Sequence, residues 1–207
     1  MSTLERVLYM IIGLTGSIAS GKSTVSNMLK EYGLPIVDAD VVARLVVEPG
    51  SETLKRIVEA FGEEVLTETG ELNRQKLGSI IFNDEEKRQT LNCIIHPAIR
   101  KEMLRQRDEY IANGEKTVIM DIPLLFESKL QHFVDKILVV TVSEDVQLER
   151  LMKRNQLTAE DAKARIRSQL PLAVKEQGAD AVINNNGTIE ETRKQLEHIL
   201  KEWGVLS

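Results

Sequence analysis

The 207-residue chain is predicted to be an α/β protein with a parallel sheet and a helical insertion. Three observations point there. Short β-branched runs alternate with longer helix-compatible stretches. Most of those runs are apolar on both faces, as parallel strands covered by helices must be. The first run feeds directly into a glycine-rich turn that opens a helix.

Taken in order, the strand candidates are residues 7–14, 35–37, 117–120, 136–142 and 181–183. Helices fill the gaps. Thr158 followed by Glu160 and Asp161 has the form of an N-cap with an acidic first turn, and Thr188 to Glu191 that of a full capping box. After it, Ile189, Leu196, Ile199, Leu200 and Trp203 recur at helical spacing and are expected to form a core face. Residues 41 to about 115 break the rhythm, with no good strand. Helical segments are expected there around 41–47, 51–61, 74–82 and 84–112, punctuated by Gly62, Gly70 and Gly78.

Composition narrows the class. Hydrophobic residues make up 42% and charged residues 29%, which is globular and excludes disordered or collagen-like chains. A net charge of −5 argues against a protein that coats nucleic acid or an anionic membrane. The apolar run 7–14 is too short to span a bilayer, and its flanks make a poor signal peptide. The expectation is a cytoplasmic protein with no nucleic-acid or membrane partner. The one cysteine, Cys93, allows no intrachain disulfide, and its apolar neighbours predict a small buried side chain.

The sharpest motif is Gly16-Ser17-Ile18-Ala19-Ser20-Gly21-Lys22-Ser23, followed by Thr24, which matches the P-loop pattern G-x-x-x-x-G-K-[ST]. Glycines let the backbone curl until successive N–H groups face an anion, and the helix N-terminus adds unpaired donors. The backbone amides from Ala19 to Thr24 are the candidate phosphate ligands. Lys22 can reach β- and γ-phosphates, and Ser23 can ligate Mg²⁺. A GTPase would also need N-K-x-D and D-x-x-G, and neither string occurs. Their absence favours a small-molecule kinase.

Such a kinase needs a group to deprotonate its acceptor hydroxyl. The second strand ends in Val37-Asp38-Ala39-Asp40, and in extended chain residues two apart point the same way. Asp38 and Asp40 are therefore expected to face the crevice beyond the strand ends, or else to cap the helix that follows. The third strand ends in Asp121, which would hold Mg²⁺ or cap a short helix before Pro123.

Charge is unevenly spread. Residues 87–107 carry +5 and residues 150–170 carry +4, leaving −14 on the remainder. Two cationic segments on an acidic body read as two anion sites or as solvated helix faces. The arginines of the second segment suit phosphate recognition, and that segment is a candidate lid over ATP.

Over essentially its whole length the chain resembles dephospho-CoA kinases. The matching strings are Gly13-Leu14-Thr15-Gly16 leading into the P-loop; Asp38-Ala39-Asp40 with Ala43-Arg44; His96-Pro97-Ala98-Ile99-Arg100; and Asp121 to Glu127. They continue with Gln147, Arg150-Leu151 and Arg154; Arg165 to Gln169; and Ala179-Asp180 with Val182 to Gly187. Two positions depart from the family: Ser17 replaces a frequent glycine, and Asn184 stands where Asp is frequent.

The resemblance implies ATP- and Mg²⁺-dependent phosphorylation of the ribose 3′-hydroxyl of dephospho-CoA, the last step of coenzyme A biosynthesis, giving CoA and ADP. It implies a P-loop NTP hydrolase-like three-layer α/β/α fold with a five-stranded parallel sheet, a helical substrate insertion and a lid. The single domain, 1–207, would comprise a core of 7–40, 116–148 and 178–205, a substrate subdomain of about 41–115 and a lid of about 149–177. Asp40 would be the base and Asp38 a supporting acid. Arg44, His96 and Arg100 would meet dephospho-CoA, and Arg154 would reach the ATP phosphates. Asn186 and Gly187 would lie near adenine. Leu124, with Leu125 and Phe126, would wall an adenine or pantetheine arm or serve only in packing. His96, before Pro97, also fits a helix boundary. His132 and His198 match nothing and are expected on the surface. A monomer or weak homo-oligomer is expected. Another nucleoside monophosphate or metabolite kinase, or a non-catalytic ATP-sensing module, stands as the alternative.

Overall fold

A computed structural model describes residues 9–207. The start of the first expected strand, at residues 7 and 8, lies outside the described residues. The elements are β1 (Met10–Gly16), α1 (Lys22–Glu31), β2 (Ile36–Asp38), α2 (Ala39–Leu45), α3 (Glu52–Phe61), α4 (Arg74–Ile81) and α5 (Glu85–Ala112). There follow β3 (Thr117–Asp121), β4 (Lys136–Thr141), α6 (Glu144–Asn155), α7 (Ala159–Arg167), α8 (Leu172–Gln177), β5 (Ala181–Asn184) and α9 (Ile189–Glu202).

The five strands form one parallel sheet in the order β2-β3-β1-β4-β5. β1 lies in the middle and is buried along all but its first residue, which is why it is apolar without alternation. Its register sets Leu14 beside Asp121 of β3 and Gly16 beside Val140 of β4. The C-terminal ends of three strands thus converge at the glycine-rich turn. One face of the sheet packs against α1 and α9 through Ile12, Leu14, Val25, Leu29, Leu196 and Leu200. Thr188 and Glu191 complete the expected capping box at the start of α9, and Thr158 caps α7.

The described residues fall into two compact units. One carries the sheet and ends at Val37 before resuming over Glu109–Ser207; the other is Asp38–Asp108. The second unit is helical, with a core of its own built from Val47, Ile57, Val65, Leu77, Leu91 and Ile94. Its only β pairing among the described residues is a single bridge, Leu66 to Leu72. Ser51 and Asn73 cap α3 and α4 by accepting the N–H groups of Leu54 and Lys76.

Three expectations need correction. Cys93 is exposed, not buried. On α5, Leu91 and Ile94 turn inward, and Cys93 falls on the other side of the helix, so helical phase overrides the apolar neighbourhood. Ile189 is 66% exposed because it opens α9; the core face starts one turn later, at Thr192. His96 is not at a helix boundary, since α5 runs through Pro97. Pro97 forfeits its own N–H donor, and the helix continues on either side of that gap. His132 and His198 are exposed, as expected. No helix among the described residues is long and apolar enough to cross a membrane.

Candidate phosphate-binding site

The turn between β1 and α1 is held in shape by side chains from distant segments. Gly21 sits at φ 91° and Ala19 at φ 60°, so left-handed residues alternate with ordinary ones, the conformation that points successive N–H groups into a concavity. Gly21 is needed twice over: its φ suits glycine, and a Cβ would land on the amide of Asn185. Gly16 is needed for closeness, since a Cβ there would meet Ser20 Oγ at 2.6 Å and the Val140 carbonyl at 2.9 Å. Ser17 has no positive φ, so the serine in place of a glycine is accommodated without strain.

Within the loop, Ser20 N–H donates to the Ser17 carbonyl (3.1 Å) and Thr24 N–H to the Gly21 carbonyl (3.0 Å). Ile18 N–H donates to Gln169 Oε1 (2.8 Å). The N–H groups of Ala19, Gly21, Lys22 and Ser23 donate to no acceptor among the described residues. They are four free donors at a helix N-terminus, next to the Lys22 ammonium.

Lys22 pairs with Asp121 Oδ1. Asp121 is buried at the end of β3, and turns rather than a helix follow it, so it is not a helix cap. Ser23 is exposed on the first turn of α1. Their oxygens are hard donors of the kind Mg²⁺ takes, one or two at a time, when phosphates and water complete its shell.

Four supporting residues had no role in the sequence reading. Asn185, buried, donates to the Ser20 carbonyl (2.9 Å) and accepts from Thr192 Oγ1 (2.9 Å). Gln147 donates to Ser17 Oγ (3.0 Å) and to the Ile18 carbonyl (2.8 Å). Gln169 accepts from Ser17 Oγ (2.9 Å) as well as from Ile18 N–H. Lys175 reaches the Gly16 carbonyl (3.0 Å). Gln147, Gln169 and Asn185 lie in the strings that carried the family resemblance, but only the fold assigns them this work.

Of the cationic segment 150–170, Arg150 comes to the loop: it donates to the Asn185 carbonyl (3.0 Å). Arg154 is exposed and bonds its neighbour Asn155 (2.9 Å). Asn186 accepts from Ser143 N–H and Oγ (both 2.9 Å), tying the turn after β5 to the start of α6. Gly187 lies under the Glu191 carboxylate, which leaves no room for a Cβ. The apolar triplet divides its tasks: Leu125 is core, Phe126 packs on Gly178, and Leu124 is 42% exposed.

In the helical unit, Asp38 caps α2, its Oδ1 accepting from Asp40 N–H (2.8 Å) and Val41 N–H (3.2 Å). The extended-chain reasoning for Asp38 and Asp40 does not hold, because the helix has already begun at Ala39. Asp40 sits exposed in the first turn and Arg44 exposed in the last. On α5, four of the six cations of segment 87–107 are paired along the helix: Lys87 with Asp84, Arg88 with Glu85, Arg105 with Glu102 and Arg107 with Asp108. Arg100 and His96 share one side of α5, one turn apart. Desolvation by neighbouring protein, then repulsion from Arg100, holds the His96 imidazole below its usual pKa of 6.5. The ring is nonetheless solvent-accessible, so an incoming anion can reach it.

The dephospho-CoA kinase family model matches residues 10–191. The dephospho-CoA kinase of Geobacillus kaustophilus (strain HTA426) is 59% identical over 195 residues, covering 94% of this chain and 97% of that one. Among solved structures, TT1252 from Thermus thermophilus superposes with a TM-score of 0.78 at 32% identity, covering 94% of this chain and 97% of that one. The dephospho-CoA kinase from Campylobacter jejuni superposes with a TM-score of 0.73 at 29% identity, covering 93% and 96%.

Proposed function

The chain belongs to the dephospho-CoA kinase family and is an ATP-using phosphotransferase; from that premise we propose that it moves the γ-phosphoryl group of ATP to the ribose 3′-hydroxyl of dephospho-CoA, releasing CoA and ADP. One observation carries the nucleotide half of this reading. Four unspent backbone donors and the Lys22 ammonium converge at the N-terminus of α1.

The chemistry assigned to each residue follows from its type and place. The amides of Ala19, Gly21, Lys22 and Ser23 hold phosphate oxygens. Lys22 has three N–H donors, so it can keep Asp121 and still reach a phosphate. Arg154, exposed on α6, adds positive charge from the lid. Together these groups oppose the charge that builds on the γ-phosphoryl oxygens in flight. Asp40, the exposed carboxylate of α2, takes the proton of the 3′-hydroxyl as its oxygen bonds to phosphorus and the bond to the β-phosphate oxygen breaks. Asp38 fixes the start of α2 and so the direction in which Asp40 is presented. Arg44, His96 and Arg100 bind the anionic groups of dephospho-CoA, and Leu124 offers it an apolar contact. The turn at Asn186 and Gly187 borders adenine. Ser23 and Asp121 would hold Mg²⁺, which when bound supplies further charge neutralisation at the phosphates. The enzyme works in the cytoplasm, as a monomer or weak homo-oligomer.

The test is ADP release with dephospho-CoA as acceptor, run beside AMP, CMP and shikimate. Turnover confined to dephospho-CoA is expected. Preference for another acceptor would assign a different metabolite kinase, and tight ATP binding without turnover would assign an ATP-sensing module.

A further inference from the structure

Lys175 is the largest fully buried side chain among the described residues, and no step of the proposed reaction uses it. A lysine is rarely buried completely unless it is paired. Here its ammonium meets Glu127 Oε1 at 2.8 Å and donates to the Gly16 carbonyl at 3.0 Å. Glu127 Oε1 also accepts the Leu170 N–H (3.1 Å), while its Oε2 is buried with no partner among the described residues. The pair is neutral as a whole, so it adds little field at the phosphate site. What it fixes is geometry.

Gly16 ends β1 and is the first residue of the loop motif. In a trans peptide the carbonyl of one residue and the N–H of the next point in opposite directions, and the plane between them is rigid. Holding the Gly16 carbonyl therefore sets the tilt of the Gly16–Ser17 peptide, from which the rest of the curl departs. Gln147 and Gln169 grip the next two residues from other segments, so the entry to the loop is clamped at three successive positions.

We propose that Lys175 is a positioning residue for nucleotide binding: with Glu127 as its counter-charge, it orients the peptide that starts the phosphate loop. This rests on the reading of that loop as the ATP site. It assigns a role to α8, the short helix that carries Lys175.

Lys175→Met alone strands a buried carboxylate and invites unfolding. The test variant is therefore the pair Lys175→Met with Glu127→Gln, which removes both charges and the bond to Gly16 at nearly constant volume. Its fold is checked by circular dichroism, and its ATP affinity by calorimetry, which needs no turnover. The expected result is a folded protein with ATP affinity and kcat/KM for ATP lowered about 10- to 100-fold, and KM for dephospho-CoA unchanged. A folded variant with unaltered ATP affinity and kcat would overturn the proposal. Should the double variant not fold, Lys175→Leu with Glu127→Leu, which strands no buried polar side chain, takes its place under the same readouts, and unaltered ATP affinity in it sinks the idea. Failure of the wild type to use dephospho-CoA would reject the acceptor and leave the calorimetric test of Lys175 intact.

Discussion

The two ends of the proposed reaction are built in opposite ways. The phosphate loop is braced from outside: Asn185, Gln147, Gln169 and Lys175 each reach it from more than a hundred residues away in sequence. The turn that carries Asp38, Asp40 and Arg44 is local. Its hydrogen bonds join neighbours in sequence, and Asp40 and Arg44 are exposed. Preorganisation therefore resides in the phosphate loop. Donors for phosphate are fixed before a nucleotide arrives, so little ordering is required on binding. The groups proposed for the acceptor are solvated charges, and such charges gain strength when a substrate displaces water from them.

The largest expected effect lies at the chemical end. Asp40→Asn should lower kcat by roughly 10²–10⁴ while ATP affinity holds, since an exposed carboxylate with no supporting role can be lost without disturbing the loop. Wild-type turnover in stopped-flow or coupled assays would remove Asp40 from the mechanism. Next in size, Lys22→Ala should cost about 10²–10³ in kcat/KM for ATP, read by initial rates, because it deletes a cation from the phosphate cluster and leaves Asp121 with one partner fewer.

Asn185→Ala sharpens the contrast in bracing. It withdraws the donor to the Ser20 carbonyl and the acceptor for Thr192, so thermal or urea unfolding should show a loss of about 1–3 kcal/mol, and ATP affinity should fall with it. The corresponding substitution of Asp38, an N-cap, should cost stability of about 1 kcal/mol and leave ATP affinity alone.

The smallest effect concerns protons. Desolvation, and then Arg100, lowers the His96 pKa in the folded protein. The unfolded chain therefore binds more protons between the folded value and 6.5, and His96 contributes a stability loss that develops as pH falls through that window. A bound phosphate would offset Arg100 and draw a proton onto His96. KM for dephospho-CoA should accordingly decrease as pH drops from about 7.5 toward 6, and His96→Gln should flatten that dependence. An identical slope in the variant would exclude His96 from the substrate site.

Much of this was legible in the residues. Most of the strands are short, β-branched and apolar on both faces, so they stand out against amphipathic helices, and the loop motif marks its own strand and helix. Errors came where helical phase mattered: Cys93 sits among apolar neighbours and Ile189 at helical spacing from Leu196, yet both face solvent, and α2 starts at Ala39, inside the Asp38–Asp40 pair, so no extended pair forms. The bracing residues were invisible as such, because Asn, Gln and Lys have no local pattern that tells a surface side chain from one folded against a loop 130 to 165 residues away. The Arg150 contact with Asn185 is of the same kind: motif position favoured Arg154, while geometry brings Arg150 to the loop.

Transfer to the ribose 3′-hydroxyl is tested most directly by ³¹P NMR of the product formed from ATP and dephospho-CoA. A new phosphomonoester resonance coupled to the ribose 3′ proton, growing in step with ADP, is expected. Inorganic phosphate as the sole new resonance beside ADP, or a phosphoester at another position, would contradict it.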